Sequence, residues 1–153
     1  LWTLLASDQR VKAVGLGARD TLRLEVGLPL NGQDLDEQHS PAEAGYTGML
    51  TSQASHVGKD DAHTVREKLT ALLIPGRRSA RHGDAVLLEG EKVGVITSGS
   101  YGPSVGNAIA LAYIEAEKAG AAEYVVQGAR AELAAQSAAL PFYKGGTARA
   151  ALV

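Results

Sequence analysis

Four groupings of residues approach the types and spacing that chemistry requires. Gly102-Pro103-Ser104-Val105-Gly106 matches the G-x-S-x-G pattern that exposes a nucleophilic serine on a strand-to-helix elbow. That device needs a helix after the serine and a histidine later in the chain. Here residues 109–114 read as a strand, and His39, His56, His63 and His82 all precede Ser104. The segment is expected to be a glycine-rich loop between two strands. Gly15-Leu16-Gly17-Ala18-Arg19-Asp20 opens like a dinucleotide fingerprint, but Asp20 stands where the third glycine belongs. It would repel a pyrophosphate at the helix start. Gly58-Lys59-Asp60 lacks the glycine and the hydroxyl residue of a phosphate-cradling loop. His56, Asp60 and His63 approach one helical face, yet Gly58 lies inside their span. They are expected to be solvated linker residues, and no metal site is assigned. Lys144-Gly145-Gly146-Thr147 begins a glycine-rich tail.

Arg19 stands apart from these. A guanidinium in the first turn of a helix opposes the helix dipole, so a partner explains it better than the helix does. Two readings stay open. One is a surface ion pair with Asp20, Glu25 or another carboxylate, worth little. The other is an anchor that holds an anionic ligand through both arms of its planar fork.

The elements that must position these residues come next. Residues 1–6 read as the end of an amphipathic helix, and 11–17 as a short strand and turn. Residues 18–26 are dominated by strong helix formers, with Asp20 near the amino end and Leu22 and Val26 one turn apart. Gly27 and Pro29 supply the stop. Residues 31–38 are acidic and loop-like. Ser40-Pro41-Ala42-Glu43 has the form of a capping box, with Gly45 and Gly48 ending the turn quickly. Residues 51–58 are polar and suit an interdomain linker. A short helix over 60–67 is expected to lead into a strand ending at Pro75-Gly76, although the same leucines also fit a helical stripe. Residues 85–88, 92–97, 109–114 and 123–126 read as strands, with Glu89-Gly90-Glu91 as a hairpin turn. Residues 129–139 remain open between helix and strand. Short strands at this spacing predict a small antiparallel barrel or sandwich.

Composition narrows the function classes. The chain has 153 residues, enough for one ordinary domain or two small packed pieces. Its net charge is -2, with the charges mixed along its length. No basic stripe is offered to a phosphate backbone, so nucleic acid is not an expected partner. No apolar run approaches the ~20 residues that span a bilayer, so no membrane is expected either. The absence of cysteine excludes disulfides, thiolate nucleophiles and cysteine zinc sites. Leu1 is not an initiator methionine, and Leu1-Trp2-Thr3-Leu4-Leu5 reads as the inside of a helix, so a fragment of a longer protein is expected.

Residues 15–25, followed by Gly27-Leu28-Pro29-Leu30 and Asp34-Leu35-Asp36-Glu37, resemble the central signature of glycine cleavage T proteins. Ser40-Pro41-Ala42-Glu43-Ala44-Gly45 fits the sequel of that signature. Val93-Gly94-Val95-Ile96-Thr97-Ser98-Gly99, Pro103-Ser104-Val105-Gly106 and residues 109–114 match a second block. Pro141-Phe142-Tyr143-Lys144 is similar to the family's ending. The departures are Tyr46-Thr47-Gly48, residues 52–64, and the tail after Lys144.

The resemblance implies an α+β chain: the end of a ferredoxin-like folate-binding portion over 1–51, a linker and short helix over 52–65, a small antiparallel β-barrel domain over 66–144, and a tail over 145–153. It implies an aminomethyltransferase of glycine catabolism. Such an enzyme moves the one-carbon unit from the lipoyl arm of H protein to tetrahydrofolate and releases ammonia. Tetrahydrofolate is the implied cofactor, and lipoylated H protein is the implied partner, together with the missing amino-terminal half of the same protein. The implied location is cytoplasmic, or mitochondrial in a eukaryote. The family's catalytic aspartate lies in the amino-terminal half, so no catalytic residue is expected in this chain and the fragment is expected to be inactive alone. Arg19 matches the family arginine that contacts the substrate, and Tyr143 stands for a tyrosine near the family's carboxy terminus. Two other readings are a different tetrahydrofolate-dependent enzyme (a demethylase, or the folate domain of a sarcosine or dimethylglycine dehydrogenase) and a noncatalytic folate-binding protein of iron–sulfur assembly. Relatives of the last kind usually carry a cysteine signature, which this chain lacks.

Overall fold

The computed structural model describes residues 1–51, 54–55, 57–59 and 61–146. Two α-helices, α1 (Trp2–Ala6) and α2 (Leu16–Glu25), precede a 3-10 turn at Thr47–Met49. Six strands follow: β1 (Glu67–Ile74), β2 (Ala85–Leu88), β3 (Glu91–Gly102), β4 (Asn107–Glu115), β5 (Glu123–Gln127) and β6 (Glu132–Ser137). They close into an antiparallel barrel in the order β1-β4-β3-β2-β5-β6, with β6 returning to β1. The barrel thus confirms the antiparallel architecture expected from the strand spacing. Residues 89–90, both with positive φ, make the β2–β3 hairpin turn.

β4 shows why the barrel forms. Its Ala108, Ala110, Ala112 and Ile114 point inward and pack with Leu72, Ile74, Val86, Ile96, Tyr124 and Val126. The alternate residues Ile109 and Leu111 face outward, yet they are also fully buried. They form a second core with Leu24 of α2, Ala71 and the partly buried Phe142. A strand covered on both faces needs an unbroken apolar run, and Ala108-Ile109-Ala110-Leu111-Ala112-Tyr113-Ile114 is one. The small alanines fit the narrow interior and the larger residues receive α2.

A bulge in β3 makes the link between barrel and helix. The register steps from Ile96 opposite Ala112 to Ser98 opposite Leu111, so Thr97 is the extra residue. Ile96 stays in the barrel core, while Thr97 and Ser98 both bond to residues outside it. An extra residue in one strand re-aims side chains in this way.

Several expected elements differ. Residues 11–15 are not a strand: they run as irregular chain into α2, because every barrel strand already has two neighbours and offers no edge. α2 begins at Leu16 with Gly15 as its extended cap, so Asp20 lies in the second turn, not at the amino end. The helix expected over 60–67 is absent among the described residues, where 61–63 form a turn and Glu67 already belongs to β1. Glu43 captures the backbone N–H groups of Arg66 and Glu67, which extends the chain there. Within residues 129–139, left open between helix and strand, β6 forms over Glu132–Ser137, since β1 and β5 would otherwise present unpaired edges. β3 is longer than its expected 92–97. Among the described residues before β1 no strand forms, only an isolated bridge between Asn31 and Leu35. No helix among the described residues is long and apolar enough to cross a membrane.

Candidate functional site

α2 is the element that ties both sequence-derived site residues to the barrel: Arg19 stands on it and Tyr143 is bonded to its end. Arg19 lies on its exposed side, and its guanidinium has no hydrogen bond or ion pair among the described residues. The carboxylates proposed as its ion-pair partners are engaged elsewhere. Asp20 accepts from Arg23 Nε at 2.8 Å, and Glu25 Oε1 accepts the backbone N–H of Ser104 at 2.7 Å. Tyr143 reaches the other end of the helix, where its backbone N–H donates to Glu25 O at 2.9 Å. Its hydroxyl donates to Gly145 O at 3.3 Å. Leu140, just before, lies over Gly27, where a Cβ would come within 2.8 Å of a Leu140 methyl carbon. Arg19 and Tyr143 are six helical residues apart through Glu25, roughly 9 Å along the axis, and they do not touch.

Between α2 and the β3–β4 turn runs a groove of about 330 Å³ lined by Gly17, Ala18, Thr21, Leu22, Pro103 and Ser104, with the Glu25 carboxylate at its base. Glu25 is 2% exposed, although its residue type prefers water. The G-x-S-x-G segment is this turn, joining two barrel strands as expected. Ser104 gives its N–H to Glu25, and no histidine among the described residues serves it. His39 and His82 are occupied elsewhere, His82 Nδ1 lying 2.9 Å from Thr97 O. Among the described residues no group of three His, Asp or Glu could hold a metal. His56 and Asp60 of the His56–Asp60–His63 trio lie outside the described residues, as does Thr147.

The placement of α2 depends on a buried polar web that sequence reasoning missed. Arg23, on the inner side of α2, bonds Asp34 Oδ2 at 2.5 Å, Asp20 at 2.7 Å and Ser98 Oγ at 2.9 Å. Asp34 is fully buried and also accepts Leu30 N–H at 2.8 Å and Thr97 Oγ1 at 2.5 Å. Tyr113 donates to Asp34 O at 2.9 Å and stacks on His39, with centroids 3.6 Å apart and planes 6° from parallel. Burial, followed by the carboxylates of Asp36, Glu43, Asp34 and Glu67, raises the Tyr113 pKa, so it stays a neutral donor. His39 in turn sits between Asp36 Oδ1 at 2.8 Å and Glu67 Oε2 at 3.0 Å. The web joins α2, the 30–39 loop and the bulge of β3. It sets the position of α2, and with it Arg19, on the barrel.

Glu43 organises the next segment. The expected capping box forms its reciprocal bonds, Ser40 N–H to Glu43 Oε2 at 2.7 Å and Glu43 N–H to Ser40 Oγ at 3.2 Å, around one turn that no α-helix follows. Burial by itself would raise the Glu43 pKa. The N–H groups of Ser40, Arg66 and Glu67 and the Arg66 guanidinium outweigh it and hold the pKa at about 2. A cavity of about 370 Å³ adjoins Glu43 and Arg66, but their polar groups are bonded to each other.

The signal for this web was thin. Arg23 is one helical turn from Arg19, and nothing in the local pattern separates the exposed cation from the buried one.

Comparison with known proteins adds a second line. Residues 67–144 match the family model described as the glycine cleavage T-protein C-terminal barrel domain. A Picosynechococcus sp. protein named aminomethyltransferase is 41% identical over 152 residues, covering 94% of this chain and 42% of that protein. Another of that name from Rubrobacter xylanophilus is 40% identical over 151 residues, covering 94% of this chain and 40% of its own. The crystal structure of glycine cleavage system aminomethyltransferase T from Bartonella henselae superposes with a TM-score of 0.81 at 29% identity, covering 89% of this chain and 41% of that one. The chain spans about two fifths of the length of these relatives.

Proposed function

This chain belongs to the glycine cleavage T-protein family through its carboxy-terminal barrel domain, and from that premise we propose that it serves an aminomethyltransferase of glycine catabolism. Because the relatives are more than twice as long, the proposal assigns the activity to a longer polypeptide that includes this one. The reaction moves the one-carbon unit from the lipoyl arm of H protein to tetrahydrofolate with release of ammonia. The other folate-dependent enzymes and the iron–sulfur assembly protein find no supporting observation here, since the relatives above are named aminomethyltransferase.

The observation that supports a ligand-binding role is Arg19. Its guanidinium is exposed and has no partner among the described residues, and the helix that carries it, α2, also lines a largely apolar groove through Ala18 and Leu22 on either side of it in sequence. Nearby carboxylates are bonded to Arg23 and Ser104 instead. A planar, partly apolar ligand with an anionic group, as tetrahydrofolate is, fits that combination of groove and fork-shaped cation. Tetrahydrofolate supplies the nucleophilic nitrogen when bound. In this reading Arg19 binds and orients the ligand's anionic part. Tyr143, fastened to the end of α2 through its backbone N–H, is the second residue that this reading gives to the ligand. The remainder is positioning, the principal means by which a protein aids such a transfer.

Tetrahydrofolate calorimetry on the longer protein tests the reading. Replacing Arg19→Ala is expected to weaken binding by about 1.5–3 kcal/mol, the worth of a charge-assisted contact. Unchanged affinity would return Arg19 to a plain surface cation. The present chain alone is expected to show no aminomethyl transfer, and measurable turnover by it would refute the division of labour.

A further inference from the structure

One end of the barrel carries a concentration of positive charge unrelated to α2. The loop between β1 and β2 brings Arg77, Arg78 and Arg81, and the turn between β5 and β6 brings Arg130. All four line one cleft of about 600 Å³. In a chain of net charge -2 this clustering does not follow from composition. Asp84 is the acidic residue of that lining, and its Oδ2 accepts the backbone N–H of Arg81 at 2.8 Å. Among the described residues none of the four guanidiniums has a carboxylate partner. Arg77 is steadied differently, its guanidinium carbon lying 4.8 Å above the ring centre of Tyr101.

We propose that this cleft is a binding site for a small polyanion, a compound bearing two or more phosphate or carboxylate groups. Gathering four like charges around one cleft is unfavourable unless an anion neutralises them. Arginine, with its planar fork, meets carboxylate and phosphate bidentately, and a monoanion would leave most of the four unmatched. The cleft volume falls within the ~300–1,000 Å³ of small-ligand sites. Ala129, Ala131 and Leu133 add an apolar wall, which suits an organic anion. No residue of this site contributes to the groove beside α2, so the two proposals stand or fall separately.

Calorimetry on the full chain at low ionic strength, with pyrophosphate and with citrate as probes, decides it. One saturable site is expected. The Arg78→Gln/Arg130→Gln double variant should weaken it at least about tenfold. Arg10→Gln, which alters an exposed cation paired with Asp8, should leave it unchanged. Circular dichroism checks that the variants keep the barrel. A preference for pyrophosphate assigns a phosphorylated ligand and a preference for citrate a polycarboxylate. Equal binding supports the shared polyanion chemistry. Failure of both probes to saturate, an unchanged double variant, or an equal loss in Arg10→Gln would overturn the site.

Discussion

Two arginines one turn apart on α2 have opposite fates, and the difference lies in what faces them. Arg19 points to solvent, whereas the Arg23 side chain is 10% exposed against an Asp34 that is 0% exposed. Removing one member of a buried charged pair leaves the other uncompensated, at a cost of about 3–5 kcal/mol. Arg23→Met is therefore expected to destabilise the chain by that amount in urea denaturation. Adding Asp34→Leu should recover part of the loss, because no orphaned charge then remains. Glu43 supplies a pH-dependent counterpart. Its folded-state pKa is about 2, below the usual 4.5. Its contribution is thus fully present above pH 4.5 and is lost as pH falls from 4.5 through about 2. The amount is on the order of 3 kcal/mol. Urea midpoints taken across this window should fall steeply for the native chain and more gently for Glu43→Gln.

At the scale of elements, β3 carries the heaviest constraints. Its bulge places Thr97 and Ser98 against the polar web, and two glycines let other backbone approach it. A Cβ on Gly99 would lie 2.3 Å from Ala80 O, and one on Gly94 would lie 2.3 Å from Tyr113 O. Backbone oxygens of a barrel strand (Tyr113) or of a fully buried loop residue (Ala80) cannot step aside as the end of a long side chain can. Gly99→Ala is expected to cost at least the ~1–3 kcal/mol typical of overpacking. Gly120→Ala, where nothing lies within 4 Å, should stay within about 0.5 kcal/mol. Thermal melts of the two variants make the comparison. Glycine also explains why β3 reads short in sequence: Ser98-Gly99-Ser100-Tyr101-Gly102 is poor in strand formers, and strand pairing with β4 overrides that preference.

At the scale of the whole molecule, the barrel is finished and the helical part is not. The barrel has no edge, and its interior is filled by side chains from all six strands. The opposite holds at the amino end, where Trp2 is 71% and Leu16 81% exposed, along with Leu4, Leu5 and Val14. Exposed large apolar side chains concentrated in one stretch of chain are the kind that an interaction surface covers. Their exposure accords with the proposal that the activity belongs to a longer polypeptide, whose upstream portion would cover α1 and the start of α2.

Sequence alone determined what is local or periodic. α2, the β2–β3 hairpin, the four strands over 85–126 and the reciprocal bonds of Ser40 and Glu43 follow from propensity, turn chemistry and short-range spacing. Helix-forming residues over 18–26 placed Arg19 on a helix, and it stands on one. Tertiary structure decided what depends on distant partners. The strand identity of 132–137 needed the two waiting edges of β1 and β5. The failure of 11–15 to become a strand followed from the lack of any free edge. Residue 34 lies in an acidic loop like its neighbours. Only the approach of Arg23 from α2 and Thr97 from a bulge in β3 makes it the buried centre of the web. Such a role depends on groups 11 and 63 positions away, a separation at which neither helical nor strand periodicity carries information.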